Sequence, residues 1–339
     1  MDLDDLFEGG LAELHTHLGG SVASEIMWSL AHEQGIALPT RDYWEFEALV
    51  TVSDPRGMPD LDSLDRIYHL TELIQSSPLA VERSVHAAIG GAYRSQRITT
   101  LELRFNPMKR NRGGERDLDH IIMAAVRGLD RASLEYPQVR AGLILMMDRT
   151  FSERQNSIIV EKAIRYGPRG VVGIDIAGPR PASDGPYPYR DLASLVDQAR
   201  SAGLGVTIHV GEEGGEHGIA EIREVVDALR PDRIGHGILA AQDPDLMSRL
   251  REAEITLEIC PTSNLLTKSL SGEDAVRETF HAFKAAGVLF TIATDGPEMM
   301  RTHLRDELEL LLRIGALDES ELADANRRGH EKSFLPPSD

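Results

Sequence analysis

The stretch Glu13-Leu14-His15-Thr16-His17-Leu18-Gly19-Gly20-Ser21 closes the first apolar run of the chain. One residue separates His15 from His17, so on a strand both imidazoles point to one face, because side-chain direction alternates with period two. Two imidazoles side by side on a stiff element form half of a divalent-metal site, and a surface pair has the same spacing. The rest of the chain separates these readings. Apolar, β-branched runs recur at 11–18, 99–105, 140–147, 170–177, 205–210, 233–237, 255–260 and 288–294. They are continuous more than alternating, as in a parallel sheet covered by helices. Helical patterns lie between them: Leu118, Ile121, Ile122, Ala125 and Leu129 share one helical face, and others fall at 158–165, 192–202, 219–229, 274–286 and 305–314. Eight strands, each followed by helix, predict an α/β protein with a closed (β/α)8 barrel, the TIM barrel, and an extra C-terminal helix. No G-x-G-x-x-G stands at a strand-to-helix turn, so a dinucleotide fold has no support.

The interval 19–98 is too long for one crossover helix and holds helical segments at 24–34 and 61–75. It is expected to be a helical insertion covering the barrel mouth, within one domain spanning 1–339. The chain of 339 residues is 41% hydrophobic, with both charge signs spread throughout, as in an ordinary globular protein. Its net charge of −19 opposes general nucleic-acid binding, which needs Lys and Arg to neutralise phosphates. No apolar run approaches the roughly 20 residues of a membrane span. The acidic opening Met1-Asp2-Leu3-Asp4-Asp5 leaves no room for a signal peptide before the first strand, and one cysteine, Cys260, suits a reducing compartment. A cytoplasmic location is expected; the oligomeric state is left open.

In a barrel of this kind the active site is built at the C-terminal ends of the strands. Strand 1 ends with His15 and His17, strand 5 with Thr207-Ile208-His209-Val210-Gly211-Glu212, and strand 6 with Ile234-Gly235-His236-Gly237. Strand 7 runs into Cys260-Pro261-Thr262-Ser263-Asn264 and strand 8 into Thr294-Asp295-Gly296-Pro297. Four of the twelve histidines, with one glutamate and one aspartate, thus converge on one rim, which predicts a metal site. Three neutral imidazoles and a carboxylate suit a zinc ion with a position open to water. Glu212, past Gly211, is positioned to turn into the cavity as a proton carrier, and the glycines around His236 leave it little crowded.

The motifs "ELHTHLGGS", "LELRFNP", "GIDIAG", "TIHVGEE", "DRIGHG", "LEICPTSN" and "TDGP", in this order over nearly the whole chain, resemble the adenosine deaminase family of zinc-dependent barrels. The resemblance implies that His15, His17, His209 and Asp295 bind one Zn2+ per chain. It implies that Glu212 handles protons on a purine ring and that His236 orients and polarises the attacking water. It also implies that the backbone N–H of Gly178 touches the substrate ring; as a turn residue, Gly178 equally suits a positive φ. Cys260 reads as a buried structural thiol. Ser263 and Asn264 read as ties from strand 7 to its neighbours, and His69, His217 and His303 as surface or packing residues.

Two departures bear on the substrate. Family members usually carry Asp two residues past the second histidine and again after the metal-binding Asp; here these are Gly19 and Gly296. Both changes remove a carboxylate and are expected to leave space, and loss of such acceptors weakens selection for adenosine. After "GIDIAG" stands Pro179-Arg180, where the family commonly has acidic residues. Arg180 and the cluster Lys109-Arg110-Asn111-Arg112 are either solvated loop charges or partners for a phosphate or carboxylate. The expectation is hydrolytic deamination of an amino-substituted purine, nucleoside or related heterocycle, a small-molecule substrate, with ammonia released. The alternatives are a zinc amidohydrolase cleaving another C–N bond and a non-catalytic ligand-binding barrel.

Overall fold

The computed structural model describes residues 6–7, 9–52, 61–111, 117–179, 186–212 and 215–336, without the side chains of 61–63, 65, 215 and 216. The strands are β1 (Leu11–His17), β2 (Ile98–Phe105), β3 (Arg140–Asp148), β4 (Val171–Ala177), β5 (Gly205–Val210), β6 (Arg233–His236), β7 (Thr256–Ile259) and β8 (Leu289–Ile292). All eight are parallel and follow one another in sequence order. Their ends depart from the expected ones by one or two residues. Two joints are short. β4 meets β5 through the pairs Gly173–Gly205 and Ile174–Val206, and β8 returns to β1 through the bridge Thr16–Asp295. At that bridge His17 N–H donates to Asp295 O at 2.7 Å and Asp295 N–H to His15 O at 2.9 Å. The result is a nearly closed (β/α)8 barrel.

Strand and helix apolar side chains, among them Leu101, Ile174, Ile208, Leu257, Ile122 and Phe280, form one continuous buried core. A further set of strand side chains is buried but charged. Arg104 donates to Asp175 Oδ2 at 2.9 Å, Glu258 Oε2 at 2.8 Å and the Leu14 carbonyl. Arg233 donates to Glu258 Oε1 at 2.6 Å and to Glu102. Such a cluster needs every partner in place, since a buried charge without one is strongly destabilising. Beneath it the chain's C-terminal segment closes the barrel. The Phe334 ring lies 3.6 Å from the Arg233 guanidinium, its N–H donates to Glu102 Oε1, and Gly173 and Gly205 leave the ring room.

Between β1 and β2 the described residues form four α-helices, α1 (Ser24–Glu33), α2 (Tyr43–Val50), α3 (Leu61–Ile74) and α4 (Pro78–Gln96). Asp42 caps α2 by accepting from the Trp44 and Glu45 N–H groups, and Ser77 caps α4, which starts with Pro78 in its first turn. Leu64 of α3 joins Val52, Leu266, Met299 and Met300 in a small apolar cluster separate from the main core, with Ile67 and Tyr68 against it. This cluster holds α3 against the loops after β7 and β8. The chain ends in a helix, Glu319–Lys332, opened by a capping box of Asp318 and Glu321, and packed on β1 and β8. No described helix is long and apolar enough to cross a membrane.

Candidate active site

His15 and His17 lie on β1 with two-residue spacing, and their ring centroids are 5.4 Å apart. His209 comes from the end of β5, and His236 ends β6. Ligating nitrogens of His15, His17 and His209 all fall within 4.8 Å of one another. Nε2 of His17 is 3.1 Å from Nε2 of His209 and 3.3 Å from Oδ1 of Asp295. Such proximity of the rings depends on Gly235, where an added Cβ would stand 2.8 Å from His15 Cε1 and 3.3 Å from His209 Cγ. His236 and Asp295 have φ of 60° and 66°, the left-handed region that costs a non-glycine residue energy. Strain of this kind persists only where the surroundings hold it, and here both residues bring their side chains to the same cavity.

Three of the four imidazoles have a side chain behind them. His15 Nδ1 is 2.7 Å from Glu258 Oε2, and His209 Nδ1 is 2.8 Å from Asp175 Oδ2, in the latter case off the line that a hydrogen bond needs. Asn264 Nδ2 stands 3.1 Å from His236 Nδ1, and with Asn264 donating, His236 carries its proton on Nε2. Burial first, with Arg104 and the neighbouring imidazoles adding to it, holds His15, His17 and His209 well below the ordinary histidine value, so they are neutral. Burial raises the carboxyl of Asp295. His15 Nε2 is buried without a partner among the described residues. His15 Nε2 has no donor, and His17 and His209, facing each other at Nε2, can share one proton at most, so lone pairs remain that a cation would satisfy. The donor set therefore fits a divalent metal.

Glu212 and His236 stand together, Oε2 to Nε2 at 3.6 Å, and Thr267 donates to Glu212 Oε1 at 3.3 Å. With Asp295, Gly178, Lys109 and Arg149 they line a cavity of about 110 Å³. Gly178 has φ of +90° and also forms cavity wall, so its turn conformation and its place at the site coincide. Ser263 donates to Asp295 Oδ2 at 2.7 Å, so strand 7's polar pair holds site side chains on the two neighbouring strands. Cys260 is buried, as expected, and burial pushes its thiol up. His303 opens the helix Leu304–Arg313, its N–H donating to Asp306 Oδ2 at 2.7 Å, and His217 is exposed. His69 lines an outer cleft that shares Tyr68, Glu72 and Lys109 with the inner cavity.

Three expectations need correction or fall outside view. The space beside Gly19 and Gly296 is not empty, because Tyr68 and Thr71 of α3, with Met299, fill it. Arg110 is not a loop charge: it is buried against the Phe105 ring and donates to the Asn106 carbonyl and to Gln75. Lys109 is already paired with Asp148 at 2.6 Å. Arg180 and Arg112 lie outside the described residues. Pattern reading also missed the groups behind the histidines, Asp175, Glu258 and Arg104, and the role of Arg149. Arg149 donates to the carbonyls of Gly178 and His209 and to the Tyr189 hydroxyl, tying the β4–β5 connection to the end of β5 beside the cavity. The available signal was a charge inside each apolar run, in "LELRF", "GIDIA" and "TLEIC".

The profile of the family described as adenosine deaminase matches residues 10–339, and an adenosine deaminase of Shewanella denitrificans is 30% identical over 332 residues, covering 97% of this chain and 95% of its own length. The chain belongs to the adenosine deaminase family. As a member it is an aminohydrolase. An adenosine deaminase of Vibrio vulnificus is 29% identical over 92% of this chain and 90% of its own length. Among solved structures, adenine deaminase from Arthrobacter aurescens shares the fold with a TM-score of 0.83 at 24% identity, covering 96% of this chain and 94% of that one. An amidohydrolase from Burkholderia ambifaria, described with bound Zn, gives 0.84 at 22% identity over 98% and 88%.

Proposed function

We propose that this member of the family hydrolyses the amino group of an amino-substituted purine, nucleoside or related heterocycle, with water supplying the new oxygen and ammonia leaving. The observation that carries this reading is the convergence of His15, His17, His209 and Asp295 beside the Glu212–His236 pair. These four residues would hold one Zn2+, a choice supported by three neutral imidazoles with one carboxylate and by the zinc described in the Burkholderia neighbour. When bound, such a cation makes water acidic enough to attack at neutral pH.

The chain's own groups supply the rest. Glu212, held by Thr267, delivers a proton to the ring nitrogen beside the amine-bearing carbon, which takes up charge as the ring is attacked. His236, with its proton on Nε2 and its other nitrogen toward Asn264, orients water and polarises it. Gly178 offers a backbone N–H at the cavity wall to a ring acceptor. The relatives' names (adenosine deaminase in Shewanella and Vibrio) support a purine-type amine as substrate.

The test is ammonia release from aminopurines, their nucleosides and their nucleotides by zinc-loaded protein, followed with the loss of the adenine-type ultraviolet band. Glu212→Gln is expected to keep zinc and to lose about 10²–10⁴ in kcat. A fully active variant removes Glu212 from the mechanism, and a zinc-loaded wild type that releases no ammonia from any of these compounds ends the deaminase reading.

A further inference from the structure

The room beside Gly19 and Gly296 is taken by Tyr68, which alone reaches both, with Thr71 beside Gly19 and Met299 beside Gly296. A Cβ on Gly19 would stand 3.0 Å from Cδ1 of Tyr68, and one on Gly296 would stand 3.0 Å from the phenol oxygen. That oxygen donates to Asp295 Oδ1 at 3.2 Å, the same carboxylate oxygen that lies 3.3 Å from His17 Nε2. The ring stands beside the His17 imidazole, with centroids 5.6 Å apart. From behind, Tyr68 packs on the apolar cluster of Leu64, Leu266, Met299 and Met300. An aromatic ring anchored in apolar surface at one end and hydrogen-bonded at the other has little freedom.

We propose that Tyr68 is a positioning and specificity-determining residue: its hydroxyl holds Asp295 toward the histidines, and its ring limits the size of the amino-heterocycle that reaches them. The size limit rests on the deaminase reading above. The hold on Asp295 is independent of it. Ser263 fixes one oxygen of this carboxylate at 2.7 Å and Tyr68 the other, so both must act to keep the group from swinging. Hydrogen-bonding partners behind a metal ligand typically contribute about 10–100-fold to metal affinity. The ring matters for a different reason. Its neighbours across the gap are two glycines, and the flanking Thr71 and Met299 are held elsewhere, by a hydrogen bond to the Tyr68 carbonyl and by the apolar cluster, so removing the ring opens the wall.

Wild type, Tyr68→Phe and Tyr68→Ala are compared in two measurements. Zn2+ affinity is read by competition with a chromogenic chelator. Substrate size is read as the ratio of kcat/KM for pairs of aminopurines differing by one bulky substituent, placed on the amine or on a distant ring nitrogen. Both variants are expected to bind Zn2+ about tenfold more weakly. Tyr68→Phe should leave every ratio unchanged, whereas Tyr68→Ala should raise the ratio for at least one pair by about tenfold or more, the discrimination a small volume change gives in a pocket. Zn2+ affinity within twofold of wild type in Tyr68→Phe overturns the hold on Asp295. Ratios within twofold for all pairs in Tyr68→Ala overturn the size limit. Should Tyr68→Ala not fold, Tyr68→Leu takes its place. If wild type turns over no aminopurine, the deaminase reading fails by itself; Zn2+ competition then still decides the first half, and calorimetric binding of the same pairs decides the second.

Discussion

Replacing Glu258 by Gln removes one charge from the centre of the barrel and tests whether the buried ions act as a unit. The carboxylate serves four donors: His15 Nδ1 at 2.7 Å and Arg104 at 2.8 Å on Oε2, Arg233 at 2.6 Å and Thr207 Oγ1 at 3.1 Å on Oε1. Gln keeps one oxygen, so whichever way it turns its amide nitrogen faces two donors. The tolerable orientation points the amide at Thr207, whose hydroxyl can reverse, and leaves Arg233 to Glu102. Arg104 and Arg233 hold the ionised Glu258 below the ordinary range although burial pushes it up. Asp175 is a reserve: burial raises its carboxyl to about 7, and the nearby Glu258 charge adds to this, so removing that charge shifts Asp175 toward its ionised form. Breaking a buried pair costs 3–5 kcal/mol, and with this reserve the loss should fall at the lower end, about 3 kcal/mol. Zn2+ affinity should drop about 10–100-fold through His15. Urea unfolding of metal-free protein gives the first quantity and chelator competition the second. Adding Asp175→Asn removes the reserve, so the double variant should lose more than the sum of the single losses. A loss below about 1 kcal/mol, an ordinary surface effect, with unchanged metal affinity refutes the reasoning.

Other outcomes follow from the same structure. Glu307 is buried, accepts from Thr262 N–H and Thr302 Oγ1, and burial lifts its carboxyl to about 7. A folded pKa above the unfolded one makes the ionised form costly above pH 7, with relief as pH falls toward the unfolded value near 4.5. Glu307→Gln should therefore be more stable than wild type by about 3 kcal/mol at pH 8 and about equal to it at pH 4 and below; a pH-independent gap in denaturant midpoint refutes this. Gly205→Ala drives a methyl into the Phe334 ring, so it should destabilise wild type clearly and the Phe334→Ala background little, whereas additive losses in a double-mutant cycle rule the contact out. Zn2+ at 100 times its Kd should add about 2.7 kcal/mol to stability; a melting temperature unmoved by zinc contradicts a resident ion.

The strand ends were legible because the chemistry and the fold use the same positions. His15, His17, His209, His236, Glu212 and Asp295 each follow an apolar run, and a parallel barrel gathers such ends. The groups that orient these side chains were harder to see. Asp175 and Glu258 interrupt runs that otherwise read as wholly apolar, and a single charge in a strand says nothing of which histidine stands opposite. Tyr68 was invisible for a related reason. It comes from an inserted helix whose docking on Met299 and Leu266 is set by packing between distant segments, and no local pattern reports it. Arg110 misled because a basic run after a strand looks solvated, while the Phe105 face and Gln75 bury it.

The sheet has one weak join beside the cavity, where Thr16 and Asp295 alone pair β1 with the last strand. His15 and His17 belong to one side of that join and Asp295 to the other. An ion held by all three would act as a fastener across it, and starving the protein of metal would then loosen the rim as well as silence it. Selection against proteolysis would then guard these ligands even in a lineage that had no use for the reaction.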